Sequence, residues 1–146
     1  MQMPQIEFHI LNEAGDIPRL RYACQLVEQA YQQGQRSYVY ATDNDQAKRM
    51  DEMLWTFRDQ AFIPHELSSS TSPAHPRIMA VIGTTANAPA EFQTLMINLR
   101  DELPEEFANF TRVCEVVDAD AQHKQLARDR YRMYRDKGCG LQTINQ

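Results

Sequence analysis

The chain has 146 residues, a formal net charge of −5 and a pI of about 5.3. That length suits a single domain, residues 1–146, around one core. The acidic balance argues against a general nucleic-acid binder, whose domain pI usually exceeds roughly 9, and no run of about 18 apolar residues exists to cross a membrane.

In chain order, Gln5–Leu11 (QIEFHIL) alternates in part and reads as a strand ending in the turn-rich NEAGD. Asp16 is placed to cap a helix with Pro18 in its first turn, and Leu20, Cys24, Val27 and Tyr31 recur at helical spacing. Gly34 closes that helix as its C′ residue. Ser37–Ala41 is a second strand. Thr42 or Asp43 caps a helix to about Phe57, with Ala47, Met50, Met53, Leu54 and Phe57 on its buried side. Phe62–Leu67 is extended, and Ser68–Pro76 is a polar loop with two prolines. Arg77–Gly83 and Thr94–Leu99 read as buried strands, Glu105–Phe110 as a short helix and Arg112–Val117 as a strand. Asp120–Lys137 is the long last helix, ended by Gly138 and Gly140, with a short tail after it. Strands alternating with helices imply an α/β fold with a mainly parallel central sheet flanked by helices.

Such a sheet often binds a nucleotide, but the residues for it are missing. None of the five glycines falls in a G-x-G-x-x-G or G-x-x-x-x-G-K-[ST] pattern; Gly15 follows the first strand alone, and Gly83 stands alone in VIGTTANAP. His9, His65, His75 and His123 have no metal-ligand spacing, and His9 reads as a hydrogen-bonded structural residue in a strand. Cys24, Cys114 and Cys139 are odd in number and form no C-x-x-C pair, so reduced thiols are expected rather than zinc ligands or disulfides. The N-terminus has neither a basic region nor a long apolar run, so it does not read as a signal peptide. No G-x-S-x-G elbow occurs, and the pairs Asp51–Glu52 and Glu105–Glu106 suit solvated helix faces. The residues describe a binding module, with no catalytic, metal or cofactor site expected.

Charge is distributed unevenly. Residues 121–146 hold six Lys/Arg and two acids, a net +4 on a domain whose first 120 residues net −9. Lys124, Arg128, Tyr131, Arg132 and Arg135 share one helical face, with almost no acids interleaved. A basic face holding an aromatic ring suits a ligand with both an anion and an apolar group; a solvated terminal helix is the plain alternative. A second surface surrounds Trp55, more than a quarter-turn from the buried side of its helix and beside Asp51 and Asp59, with Phe62 and Ile63 placed to extend it. A Trp covered by its own chain is the competing reading.

FHIL near the N-terminus, RMDEMLWTF followed by FIPHEL, and KQLARDRYRMYRDKG at the C-terminus together resemble the chi subunit family of the bacterial DNA polymerase III holoenzyme, over nearly the whole chain. The stretch from Lys124 to Gly138 is the most specific part. The resemblance implies a nucleotide-binding-like fold without a working phosphate loop, no enzymatic activity and a cytoplasmic protein at replication forks. It implies two partners: the psi subunit of the clamp loader, and the acidic C-terminal tail of single-stranded DNA-binding protein, which ends in Ile-Pro-Phe. The tail site would comprise Lys124, Arg128, Tyr131 and Arg132, with Val117 as an apolar wall. The family often has Lys where this chain has Arg132, which keeps the charge and changes the donor geometry. The psi surface would centre on Trp55 and Phe62, and a repair-type helicase can take psi's place there.

These expectations combine into a non-catalytic scaffold that bridges clamp loader and coated single strand, touching DNA mainly indirectly. Two rivals compete with it. A direct single-strand binder would need several stacking aromatics in a basic groove, where this helix face offers Tyr131. A nucleotide-dependent enzyme would need the missing phosphate loop.

Overall fold

Among the described residues, ten strands and α-helices follow one another: β1 (Gln5–Ile10), α1 (Asp16–Gln32), β2 (Ser37–Tyr40), α2 (Asn44–Thr56), β3 (His65–Leu67), β4 (Ala80–Gly83), β5 (Leu95–Asn98), β6 (Arg112–Val117), α3 (Ala121–Asp136) and β7 (Gly140–Asn145). The computed structural model describes residues 3–57, 62–68 and 77–146. The strands form one sheet in the order β3-β4-β2-β5-β6-β1-β7, and every pairing is parallel. Burial on both faces explains why β2, β4 and β5 are buried at every position.

Two apolar cores lie on opposite faces of the sheet. On one, Leu20, Ala23, Cys24 and Val27 of α1 and Ala47, Met50 and Leu54 of α2 pack on Val39, Ile82, Ile97 and Cys114. On the other, Ala127 and Tyr134 of α3 join Phe92, Phe107 and Phe110 over Ile6, Phe8, Tyr38, Met96 and Val113. The period-two alternation of a strand divides β1 between them, with Ile6 and Phe8 toward α3 and Glu7 and His9 toward α1.

The expected helix ends hold, with two changes: Asp16 is not a cap, and Gly140, expected to help end the last helix, instead opens β7. Asp43 caps α2 by accepting from the Gln46 N–H, Asp120 caps α3 by accepting from Gln122 and His123, and Gly34 and Gly138 terminate their helices at φ 72° and 87°. Asp16 is not the cap of α1: it lies inside the first turn, and Gly15 precedes it at φ 119°. There Gly15 donates its N–H to the Asp118 carboxylate at 2.8 Å. A carboxylate of the chain itself occupies the donor that a phosphate loop would offer. Gly83 has a steric reason instead, since a Cβ there would collide with the Tyr38 ring, whose hydroxyl donates to the Thr85 carbonyl at 2.6 Å.

Three sequence expectations change in the structure. The C-terminal tail is a sheet strand: after Gly138 reverses the chain, β7 pairs with β1 along its whole length, with Leu141 and Ile144 half-buried. Its mixed sequence GLQTIN fits an edge position, where one side faces solvent. Residues 62–64 and 77–79 lie outside the strands that follow them, and Glu105–Phe110 shortens to a 3₁₀ turn over Phe107–Asn109. The polar loop beyond Ser68, through Pro76, lies outside the described residues, as does Asp59.

Candidate protein-binding surfaces

The position of α3 is set by a buried polar network. Glu115 of β6 has no exposed surface, and Arg130 of α3 meets it at 3.1 Å. The Tyr134 hydroxyl donates to Glu115 at 2.7 Å, and the Asn98 amide donates to both carboxylate oxygens at 3.0 Å. Arg130 also donates to the Asp101 carbonyl at 2.5 Å. Every strong donor and acceptor in the group is matched, the condition under which buried charge is tolerated. Arg130 is therefore a structural cation and adds nothing to the basic surface.

With α3 so placed, its Lys124, Ala127, Arg128 and Tyr131 face β1 and β7 across a cavity of about 320 Å³, closed below by Phe8, Ile10 and Thr143. The Tyr131 ring lies against Phe8, with centroids 5.6 Å apart, which fixes one apolar wall. Arg128 is held by the neutral Gln125 side chain at 2.9 Å, so its charge is not cancelled there. The result is a pocket with an apolar floor and two cations at its rim.

Of the five predicted tail-site residues, the pocket brings together Lys124, Arg128 and Tyr131. Arg132 stands on the exposed side of α3 and pairs with Asp129 at 3.1 Å. Asp129 thus interleaves with the stripe after all, because an i,i+3 separation places it beside Arg132. Val117 is 2% exposed and lies within the core beside Ile10, its register partner on β1. The cavity is lined instead by Phe8, itself only 2% exposed, by half-buried Ile10 and by exposed Thr143, which reading the helix alone could not reveal. The sequence signal for Phe8 and Ile10 was the alternation of QIEFHIL; Thr143 lay in the segment read as a tail.

On the far side of the sheet, Trp55 of α2 is 52% exposed and Phe62 is 59% exposed, with ring centroids 5.3 Å apart. Trp55 also stacks on His65, at 4.8 Å between centroids. His65 is buried and fixed by the Asp51 carboxylate at 3.2 Å and the Ile63 carbonyl at 2.6 Å, so the aromatic pair stands on a rigid base. Ile63 does not extend the patch: it is buried beneath it, in the core formed by α1 and α2. β3 and β7 are opposite edges of the seven-stranded sheet, roughly 29 Å apart at the usual strand spacing, so the two surfaces lie toward opposite ends of it.

Other polar clusters lie away from both surfaces. His9 takes Tyr22 at 2.6 Å and Glu7 at 3.1 Å. Arg112 forks onto Glu7 at 2.7 and 2.8 Å, and these partners hold the Glu7 carboxyl down at about 2 against the opposing effect of burial, the His9 hydrogen bond most of all. Asp118 is also held low although burial opposes it, by the Gly15 N–H and by His123 at 2.7 Å. The three cysteines are buried and free.

Residues 3–142 match the family model described as DNA polymerase III chi subunit, HolC. Three relatives, each called DNA polymerase III subunit chi, align over nearly their full lengths. The one from Pseudomonas aeruginosa is 36% identical over 96% of this chain and 95% of its own. Those from Haemophilus influenzae and Escherichia coli are 30% and 27% identical, over 95% and 97% of this chain and the same shares of their own. Among solved structures, T4 UvsW superimposes with a TM-score of 0.63 at 10% identity, covering 97% of this chain and 41% of that one. That likeness is one of fold alone.

Proposed function

The chain belongs to the DNA polymerase III chi subunit family, whose members are non-catalytic accessory subunits of the replicative polymerase, and from that membership we propose that it bridges two protein partners. The pocket between α3, β1 and β7 receives the acidic, Phe-terminated tail of single-stranded DNA-binding protein. The Trp55–Phe62 pair takes the psi subunit of the clamp loader, or a repair-type helicase in its place. The molecule would act in the cytoplasm, at replication forks.

The observation that carries this reading is the composition of the pocket. Lys124 and Arg128 sit at the rim of a cavity floored by Phe8, Ile10 and Thr143 and walled by the Tyr131 ring. A peptide ending in an aromatic residue with its free carboxylate offers both complements at once: a ring for the floor and anions for the rim. A single-stranded nucleic acid would seek a row of stacking aromatics, and the pocket offers one half-buried tyrosine. Single weak tails become effective because many are displayed on one coated strand. On the opposite edge, two exposed rings on a fixed histidine base have the form of an interface anchor.

The test is a titration of the purified protein with a synthetic tail peptide and, in parallel, with an oligonucleotide of matched charge. Saturable binding of the peptide, with weak and salt-labile binding of the oligonucleotide, is expected. The reverse preference would replace this reading with direct strand binding.

A further inference from the structure

The face of β1 turned away from the pocket carries a cluster with a different chemistry. Sheet register sets Glu7 beside Cys114, its partner on β6, and alternation puts His9 next along the same face. The Glu7 carboxylate lies 3.1 Å from His9 Nε2 and 3.7 Å from Cys114 Sγ, and the three donor atoms lie within 4.8 Å of one another. All three residues are buried. From this geometry we infer that Glu7, His9 and Cys114 bind a divalent metal ion of the zinc class.

The two spacings around the Glu7 carboxylate fit such an ion. Tetrahedral zinc, with its usual bond lengths, separates oxygen and nitrogen ligands by about 3.3 Å and oxygen and sulfur ligands by about 3.5 Å. The observed separations fall within a few tenths of an ångström of both. The donor set of thiolate, imidazole and carboxylate suits zinc and its close analogues, whereas calcium and magnesium take oxygen ligands.

The surroundings are those of a supported ligand set. Tyr22 of α1 holds His9 Nδ1 at 2.6 Å, which turns Nε2 toward Glu7 and Cys114. Arg112 forks onto both Glu7 oxygens, Nε to Oε2 at 2.7 Å and Nη2 to Oε1 at 2.8 Å, and keeps the carboxylate ionised, so a metal would take the remaining lone pair of Oε1, on the side of His9 and Cys114. The Arg112 side chain is itself about one-third exposed, so the cluster borders solvent.

On binding, the Cys114 S–H bond is exchanged for a sulfur–metal bond and one proton passes to solvent. His9 gives its Nε2 lone pair to the metal and donates its Nδ1 proton to the Tyr22 oxygen. The ligands come from positions 107 residues apart, joined only by sheet pairing, so sequence spacing carries no trace of the site.

Cobalt(II) is the probe. Added to the purified full-length chain, it is expected to bind stoichiometrically, with a thiolate-to-cobalt absorption band in the near ultraviolet and visible bands of tetrahedral intensity, all removed by added zinc. The double variant Cys24→Ala/Cys139→Ala, whose one remaining thiol is Cys114, should keep the thiolate band. Cys114→Ser should lose it, and Tyr22→Phe should bind cobalt about tenfold more weakly or worse. Absence of the band in folded wild type or in the folded double variant overturns the site, as does its survival in Cys114→Ser. A Cys114→Ser chain that failed to fold would leave the double variant to decide.

Discussion

Arg130 and Glu115 meet at 3.1 Å beneath α3, with side chains 5% and 0% exposed. This pair orients the helix that carries Lys124, Arg128 and Tyr131, so the shape of the pocket rests on a contact that no ligand would touch. Removing one member leaves the other as an uncompensated buried charge. Glu115→Ala should destabilise the fold by about 3–5 kcal/mol, and Tyr134→Phe, which removes one hydrogen bond to the same carboxylate, by about 1–3 kcal/mol. Urea denaturation monitored by circular dichroism measures both, and a Glu115→Ala chain as stable as wild type would remove the network from the account.

At the pocket rim, Arg128→Ala should weaken tail-peptide binding by on the order of 2 kcal/mol, roughly thirtyfold, because a charge-assisted contact to a carboxylate is lost. Calorimetric titration reads this directly. Unchanged affinity in a folded variant would move the tail elsewhere.

Salt should separate the two halves of the same recognition. Exposed charges are screened beyond about 8 Å at physiological ionic strength, so affinity should fall as salt rises. The apolar floor should preserve a salt-resistant remainder that depends on the terminal Phe. A peptide lacking that residue should bind poorly even at low salt, and equal binding would reduce the pocket to a nonspecific basic patch.

The two surfaces should be separable. Trp55→Ala should abolish capture of psi, since loss of a central aromatic anchor often costs about 2 kcal/mol or more. Tail affinity should be nearly untouched, because the surfaces occupy opposite edges of the sheet and distant sites act independently. Arg128→Ala should show the opposite pattern. Loss of tail binding in folded Trp55→Ala would mean one shared site.

Acid should reveal Glu7. Its carboxyl is depressed from 4.5 to about 2 in the fold, so it is ionised there at pH values where the unfolded chain is protonated. The stability it contributes is complete above about pH 5 and is lost as pH falls from about 4.5 toward 2. Glu7→Gln should therefore flatten that part of the stability–pH curve, as measured by thermal melts between pH 2 and 7. An acid limb as steep as that of wild type would place the ionisation elsewhere.

Local chemistry alone determined the alternation of strands and helices, a cap at Thr42 or Asp43, and the closing glycines Gly34 and Gly138, because each depends on residues a few positions apart. Helical phase put Trp55 off the buried side of its helix, but only the packed chain decided that it is uncovered, 52% exposed. The missing phosphate loop was equally legible, since its glycine spacing is local. Contacts across the sheet were not. β7 takes its partner from residues far back in the chain, and its half-polar sequence resembles a tail until β1 is set beside it. Arg130 looks like one more surface cation until Glu115, on β6, is placed beneath it. Phe8, Ile10 and Thr143 become a pocket floor only when α3 crosses above them. Helical phase assigns a residue to a face of its own helix; only the packed sheet decides what that face meets.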